Sequence, residues 1–309
     1  MDKVSYTYLD VFTDVPFAGN PAAVVLESDG LEEERMQSIA SELGLPQTAF
    51  VMKASEKPAD FKLRFFTPKR EVDLCGHGTL AAFWALAEAG RIPLGSSLAK
   101  VVQQTNAGLL PVELHSESGV LRRVMMTLDE PAVADYVGEP EPVAQALGLA
   151  ADDLDLERCP IGLASTALME LLVPVRSLQA LQKIRPNCVA VEDVCLAVGA
   201  VSMHCFSFET VSRFSLLHAR NFAPLLGIGE EAGTGTGNGA LAAYLVTKKL
   251  VRGTSPLMLV VEQGHGMGRP SEILVEIAFS DTQVNSVRVG GKAVSVAEGH
   301  ITVGVGVEE

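Results

Sequence analysis

The pattern of hydrophobic and polar positions predicts a chain of short strands with a few helices. Apolar and polar side chains alternate from the start of the chain, a break follows at residues 14–16, and residues 22–26 are continuously apolar. Because alternation with a period of two is typical of strands, we expect two strands here, joined by a loop at residues 17–21. Two more short strands are predicted at residues 48–52 and 61–66.

Three segments have the spacing of helices. Residues 31–43 carry apolar side chains on one face and acidic side chains on the other, and Gly44 follows in the position of a C-cap. Residues 79–90 and 239–250 are instead apolar on every side for two turns. A helix of that kind is expected to be buried in the middle of a lobe.

The two apolar helices begin with related sequences. The eight residues from Gly76 and the eight from Gly237 are identical at five positions and lie 161 residues apart. This match indicates an internal duplication, with two lobes that each wrap strands around one buried helix. Residues 128–142 are rich in acidic side chains and proline and poor in apolar ones, so we place the boundary between the lobes there.

The C-terminal part alternates again. Apolar positions recur at residues 273–277 and 287–289, the pair Gly290-Gly291 follows, and a further alternating stretch covers residues 294–301. A Gly-Gly pair between alternating segments is a hairpin signal. We therefore predict consecutive antiparallel strands with a turn at Gly290-Gly291.

Composition excludes several classes of protein. With 38 acidic and 24 basic residues the formal charge is −14, which argues against a basic nucleic-acid-binding surface. No apolar run approaches the ~20 residues needed to cross a bilayer, and the N-terminus lacks the pattern of a secretory signal, so we expect a cytoplasmic protein without a membrane span. The five cysteines form no C-x-x-C pair, and the spacing of His and Cys predicts no metal site.

The residues before the first apolar helix could carry chemistry. Cys75, Gly76, His77, Gly78 and Thr79 come directly at its start. The N–H groups at a helix N-terminus lack partners within the helix and bear partial positive charge, so a carboxylate could bind there and a thiol would be activated. The alternative is structural, with the cysteine as a core residue at a strand end and the histidine as a helix cap.

A second candidate lies before the other apolar helix. Gly233, Thr234, Gly235 and Thr236 form a glycine-rich stretch whose backbone and hydroxyl groups could cradle an oxyanion, and the nearby Glu231 could act as an acid or a base. No Gly-Lys-Ser or Gly-Lys-Thr follows, and the context is not that of a dinucleotide fingerprint, so nucleotide binding is not predicted.

Taken together, these residues resemble the PhzF-like family of isomerases, named for phenazine biosynthesis, within the diaminopimelate-epimerase fold. The similarity runs nearly from end to end. It rests on residues 11–14, 16–17, 19–21, 45–51, 64–68, 76–77, 79–80, 220–224, 227–231, 234–235, 238–245, 262–264 and 267–271.

The resemblance implies an α+β fold of two pseudo-symmetric lobes, each a β-barrel-like antiparallel sheet around a central helix. The first lobe would comprise residues 1–130 with about 297–309, and the second residues 131–296. The family's active site lies in the cleft between the two helix N-termini. The resemblance also implies a homodimer, no cofactor, and a small carboxylate substrate. Its binding residues would be Asn20, Gly76, Gly78, Thr79 and the stretch Gly233 to Thr236.

The chain departs from the family pattern at several catalytic positions. Where Gln47 stands, the family usually has a Glu that serves as general acid and base, and an amide cannot do this. An Asp-Pro pair is usual at Glu231 and Ala232, and Ala is common at Cys75. The family histidine that matches His77 contacts the substrate.

The cysteine suggests a different proton carrier. Cys75 with the following Gly-His resembles the first catalytic block of proline racemases and diaminopimelate epimerases. The second thiol of those enzymes is absent here, because Ala232 or Thr236 occupies its place. We therefore hypothesise that a Cys75 thiolate removes an α-proton and that Glu231 or His77 returns it elsewhere, which would be a 1,3-proton shift or tautomerisation.

The sequence thus predicts an isomerase that moves a proton on a small carboxylic acid, such as an amino acid or a cyclic amino acid derivative. The alternatives are a two-base racemase or epimerase, a dehydratase, and a catalytically lapsed ligand-binding protein. The remaining histidines receive plainer interpretations: His204 and His218 are taken as core residues, and His265 could line the cleft.

Overall fold

The computed structural model describes residues 2–95 and 97–303 and shows an α+β protein. Its backbone contacts divide the chain into two compact units. Unit 1 comprises residues 1–126 and 290–309, and unit 2 comprises residues 127–289. From the sequence, we expect these divisions at residue 131 and at about residue 297. No helix among the described residues is long and apolar enough to cross a membrane.

Unit 1 contains two helices. The amphipathic helix α1 spans Glu33–Leu43 and ends at Gly44, which adopts a left-handed conformation with φ 63°. The buried helix α2 spans Gly76–Glu88. The strands are β1 (Asp2–Val11), β2 (Asn20–Val25), β3 (Gln47–Lys53), β4 (Phe61–Phe66), β5 (Glu71–Val72), β6 (Leu98–Thr105), β7 (Gly108–Glu117), β8 (Val120–Thr127) and, from the C-terminal part, β18 (Ala293–Val303).

Unit 2 is built from the intervening residues. Its helices are α3 (Pro140–Ala146), α4 (Leu178–Lys183), α5 (Cys188–Val198) and the buried α6 (Gly235–Thr247). Its strands are β9 (Ala132–Asp135), β10 (Gly162–Ser165), β11 (Met169–Pro174), β12 (Ser202–Ser207), β13 (Leu217–Ala223), β14 (Ile228–Glu231), β15 (Leu257–Gln263), β16 (Ser271–Ser280) and β17 (Gln283–Gly291).

The strands form mixed ladders, whereas the sequence predicts antiparallel ones. In unit 1, β2 pairs parallel with β3 and β4 pairs parallel with β6, and the neighbouring ladders are antiparallel. The parallel pairs follow from the connections, because α1 joins β2 to β3 and α2 lies between β4 and β6. Parallel neighbours need such a crossover.

Unit 2 repeats this strand order within itself. Strand β11 pairs parallel with β12 across α4 and α5, and β13 pairs parallel with β15 across α6. Three antiparallel pairs of unit 2 also correspond to pairs of unit 1. The pair β10–β11 corresponds to β1–β2, β12–β13 to β3–β4, and β15–β16 to β6–β7. Each buried helix is therefore the crossover of a parallel strand pair, which is what the duplicated sequence encodes.

The cores follow the predicted periodicities. In unit 1, Met36 and Ile39 of α1 are buried in one cluster with Phe50 and Phe66 of the sheet, and the two rings meet edge to face at 5.4 Å. Helix α2 packs against β1, β2 and β3, and helix α6 packs against strands of unit 2 that include β10 and β16. Nearly every side chain of α2 and α6 is buried, as their uniform apolar character predicts.

The hairpin predicted at Gly290-Gly291 is wrong. Both glycines belong to β17, the strand ends before Lys292, and β18 begins at Ala293 and pairs antiparallel with β1. Gly290 is required by a close approach, since a Cβ there would lie 2.0 Å from the backbone oxygen of Val124. A glycine needed for backbone contact has the same sequence signal as a glycine needed for a turn.

Candidate functional site

In unit 1 the candidate residues gather at the start of α2. Cys75 is the N-cap residue, with extended backbone angles, and its Sγ accepts a hydrogen bond from the N–H of Gly78 at 3.4 Å. A cysteine in this position faces the positive end of the helix dipole, which favours the thiolate. The side chain is half-buried.

His77 lies beside the thiol. Its Nδ1 is 3.4 Å from Cys75 Sγ, and the imidazole is buried. Burial lowers the pKa of His77 to about 4, so the ring is neutral at pH 7. A neutral imidazole in contact with a thiol can relay a proton, because it accepts at one ring nitrogen and donates from the other.

Gln47, the first residue of β3, adds a polar group to this part of unit 1. Its side chain is buried and packs where Gly78 leaves room, since a Cβ on that glycine would lie 3.0 Å from Gln47 Cγ. Among the described residues, Gln47 Nε2 is buried and has no hydrogen-bond partner. An amide N–H so placed can donate to a ligand oxygen but cannot transfer a proton.

The other predicted binding residues of unit 1 have different environments. Asn20 is buried at the start of β2, and Gly76 is half-buried in the first turn of α2. Thr79 is committed to the fold, because its N–H donates to Cys75 O at 2.9 Å and its hydroxyl donates to Gln103 Oε1 at 3.2 Å. The geometry therefore leaves Thr79 without a donor for a substrate.

In unit 2, Glu231 ends β14 and is held by the residues around it. Its Oε2 accepts a hydrogen bond of 2.7 Å from the hydroxyl of Thr234, the N-cap residue of α6. Gln263 Nε2 donates to the backbone oxygen of Glu231 at 2.8 Å and to Thr234 Oγ1 at 3.0 Å. The carboxylate is thus oriented by Thr234, whose hydroxyl is held in turn by Gln263 of β15.

These contacts continue into the interior as a chain that we call the Glu231–Glu170 network. Asn238 Nδ2 donates to Gln263 Oε1 at 2.9 Å, and Asn238 Oδ1 lies 3.2 Å from His204 Nε2. Asn221 Nδ2 contacts His204 Nδ1 at 3.1 Å and Glu170 Oε2 at 3.1 Å. Because Asn221 donates to Nδ1, the proton of His204 must be on Nε2.

Burial sets the protonation of the inner end of the network. It raises the pKa of Glu170 to about 7, although Ser202 and Asn221 donate to the carboxylate. It lowers the pKa of His204 to about 4. His204 is therefore neutral at pH 7. Because its proton is on Nε2, the ring accepts from Asn221 and donates to Asn238, and the hydrogen bonds of the network run in one direction.

The glycine-rich stretch is mostly part of the packing. Gly233 and Gly235 are buried, and the backbone oxygen of Thr236 accepts a hydrogen bond from Thr166 at 3.0 Å. Gly237 makes room for His204, since a Cβ there would lie 3.0 Å from His204 Nδ1. Glycines in this stretch can therefore serve to leave space for the network, and not only to let an anion approach the backbone.

A second polar cluster in unit 2 joins two histidines and a carboxylate. One potential ligand atom from each of His218, Glu262 and His265 lies within 4.8 Å of the others. His218 is buried in its strand, as the sequence predicts, but it contacts Glu262, with Nδ1 2.8 Å from Oε2.

Sequence reasoning missed the network partners Glu170, Asn221 and Gln263. Glu170 had no pattern that marked it, because it is one charged residue in an apolar strand. Asn221 and Gln263 did have a signal, since each lies in one of the motifs that carry the family resemblance.

Comparison with known proteins identifies the family. A family model described as phenazine biosynthesis-like protein matches residues 9–299. An uncharacterized isomerase of Bacillus subtilis is 35% identical over 297 residues, which cover 95% of this chain and 97% of that protein. An uncharacterized isomerase of Deinococcus radiodurans is 36% identical over 299 residues, which cover 95% of this chain and 93% of that protein.

Solved structures agree with this assignment. A PhzF-family phenazine biosynthesis protein of Bacillus anthracis is 32% identical, with a TM-score of 0.89, and the match covers 98% of this chain and 100% of that one. A hydroxyproline epimerase of Agrobacterium vitis shares the fold at 12% identity, with a TM-score of 0.65 and coverage of 97% and 92%. The chain therefore belongs to the phenazine biosynthesis-like, or PhzF, protein family.

Proposed function

We propose that this protein is an isomerase that moves a proton on a small, amino-acid-like carboxylic acid, with the Cys75 thiol as the base. The observation that carries the proposal is the contact of Cys75 Sγ with the Gly78 N–H and with His77 Nδ1, each at 3.4 Å. The names of the relatives support the reaction class, since those from Bacillus subtilis and Deinococcus radiodurans are called isomerases.

The proton balance of the proposed step is simple. The Cys75 thiol loses its proton to water at the positive end of the α2 dipole, and the resulting thiolate accepts the proton from the α-carbon, which leaves the electron pair of that C–H bond delocalised into the substrate. A proton is then added at another atom of the substrate, either from Glu231 or from the Cys75 thiol by way of the two ring nitrogens of His77. The product is an isomer, and exchange of protons with water restores the starting protonation.

Gln47 has a binding role in this proposal. Its Nε2 is buried without a partner among the described residues, and a substrate carboxylate or carbonyl oxygen would satisfy it. This assignment explains how an amide can stand where the family usually has a catalytic Glu, because the acid-base work is done by the thiol.

The decisive experiment measures exchange of the α-proton. Free amino acids, cyclic imino acids and dihydro-aromatic carboxylates are incubated with the protein in D₂O, and loss of the α-proton signal is followed by NMR. We expect exchange with at least one class, and we expect Cys75→Ser to slow it by a factor of about 10² or more, the usual size of a general-base contribution.

Cys188→Ser is the matched control, because Cys188 is an exposed thiol in unit 2 and should be dispensable. Full exchange activity in Cys75→Ser would exclude the thiol as the base. Absence of exchange on every substrate, together with saturable binding of one of them, would favour a ligand-binding protein. Glu231→Gln tests the second group: exchange without product formation would assign the return of the proton to Glu231.

A further inference from the structure

The cluster of His218, Glu262 and His265 is assembled by the fold. His218 of β13 and Glu262 of β15 are opposite each other in the parallel ladder. Gly264 follows with φ 79° and reverses the chain, which brings His265 back toward them. His218 and Glu262 are buried and His265 is half-buried, so the cluster is accessible from the side of His265.

The carboxylate of the cluster is held rigidly. Glu262 accepts hydrogen bonds from the N–H groups of Val211 at 2.9 Å and Ser212 at 2.5 Å, and it contacts His218 Nδ1 at 2.8 Å. These contacts fix the position of the carboxylate.

The imidazoles are close together. The ring centres of His218 and His265 are 4.7 Å apart, with the planes tilted by 50°. Within the described part of the chain, His265 Nδ1 is buried without a hydrogen-bond partner. A ring nitrogen without a hydrogen-bond partner is available to coordinate a metal ion.

We propose that His218, Glu262 and His265 bind a divalent transition-metal ion of the Zn²⁺ type. Two imidazoles and one carboxylate are a common ligand set for Zn²⁺, whereas Mg²⁺ and Ca²⁺ take oxygen ligands. A bound ion would satisfy His265 Nδ1 and would be oriented by the hydrogen bonds that hold Glu262. The nearby guanidinium of Arg220 does not oppose this, because Glu230 neutralises it with two bonds of 2.8 Å.

The metal would brace the turn that supports Glu231. Gln263 lies between Glu262 and the Gly264 turn, and it is the residue that donates to the backbone oxygen of Glu231. Gly264 packs closely on the same loop, since a Cβ there would lie 2.6 Å from Ala232 O. Only this link between the metal site and Glu231 rests on the proposed function. The metal ion would not bind the reacting atoms of the substrate.

The test uses the full-length protein after treatment with a chelator and exhaustive dialysis. Co²⁺ is titrated while its visible absorption is recorded, and Zn²⁺ is then added as a competitor. We expect saturation at one ion per chain, visible bands of a site with nitrogen and oxygen ligands, no thiolate-to-metal charge-transfer band, and complete displacement by Zn²⁺. We also expect Zn²⁺ to raise the melting temperature.

Variants separate this site from adventitious binding. His265→Ala and His265→Gln change a half-buried turn residue, and each should weaken binding roughly tenfold or more. His300→Ala changes an exposed histidine and Cys188→Ser an exposed thiol, so both should bind Co²⁺ like the wild type. Absence of saturable binding, binding unaffected by either His265 variant, or binding lost in Cys188→Ser would overturn the proposal. Because metal binding is measured directly, failure here leaves the α-proton exchange result unaffected.

Discussion

Glu170 and His204 show how burial acts on single residues of the Glu231–Glu170 network. Both side chains are buried, and burial favours the uncharged form of each, so it raises the pKa of the acid to about 7 and lowers the pKa of the base to about 4. The two groups therefore make the inner end of the network uncharged at mildly acidic pH. A Glu that is protonated in the folded state affects how stability changes with pH.

Glu170→Gln is predicted to remove a pH-dependent loss of stability. The folded-state pKa of about 7 lies above the ordinary value of 4.5. Between these two pH values the folded protein keeps a proton that the unfolded chain has lost, so the free energy of unfolding falls as pH rises and stops falling above pH ~7. Relative to wild type, the variant should gain about 2 kcal/mol between pH 5 and pH 8.

Urea unfolding at both pH values measures this difference. The amide oxygen of the variant can still accept the hydrogen bonds from Ser202 and Asn221, so the fold should be preserved. Glu272→Gln, at an exposed position of β16, is the matched control and should leave the pH dependence unchanged. An equal pH dependence in wild type and Glu170→Gln would show that Glu170 is ionised throughout.

At the scale of elements, glycines decide where the backbone can pass. Gly44 was recognisable as a C-cap from its place after an amphipathic helix, and its φ of 63° confirms that prediction. Gly290 was misassigned to a turn, because its reason is a contact with Val124 on another strand. The local sequence shows the requirement for a helix C-cap, but it cannot show a close contact with a distant strand.

Gly290→Ala should be strongly destabilising. The added Cβ would lie 2.0 Å from Val124 O, which is backbone and cannot move aside like a flexible side chain. The strand must shift, and we expect a loss of about 2 kcal/mol or more in the free energy of unfolding. Gly229→Ala is the control, since no atom lies within 4 Å of its added Cβ and a change within ~0.5 kcal/mol is expected. Similar unfolding midpoints for the two variants in urea would contradict this explanation.

At the scale of the whole molecule, unit 1 is closed by the C-terminal strand. Strand β18 pairs with β1 from Asp2 to Val11, and Val303 belongs to the same core cluster as Val4 and Phe50. Unit 2, in contrast, is one continuous segment of chain. The two units should therefore respond differently when the chain is shortened.

Ending the chain at residue 289 is predicted to unfold unit 1 and to preserve unit 2. The truncation removes β18 and exposes the edge of β1 together with part of its core. Trp84, the single tryptophan of the chain, lies in α2 and reports on unit 1. We expect its emission to shift to longer wavelength, while a fragment of residues 127–289 unfolds cooperatively by circular dichroism. Native Trp84 emission in the truncated protein would show that β18 is dispensable.

The candidate residues could be found from sequence only where chemistry is encoded locally. Cys75 and His77 are two positions apart at a helix start, so the local sequence marks both as candidates, and the structure brings them into contact at 3.4 Å. His218 was taken as a core residue, and its burial confirms that, but its partner Glu262 is 44 residues away. Pairing across a parallel ladder brings them together, and periodicity contains no information on register between distant strands.

The residues alone predict the amphipathic helix, the two buried helices, their duplication and the family resemblance, and that resemblance implies the α+β class. Each of these is encoded by neighbouring residues or by a repeat, and hydrophobic burial acts on such patterns directly. Four features can be seen only in the folded protein: the parallel pairings, the course of the chain at Gly290, the Glu231–Glu170 network and the cluster at His218. These depend on which distant strands become neighbours, and that choice is made by the packing of the whole molecule.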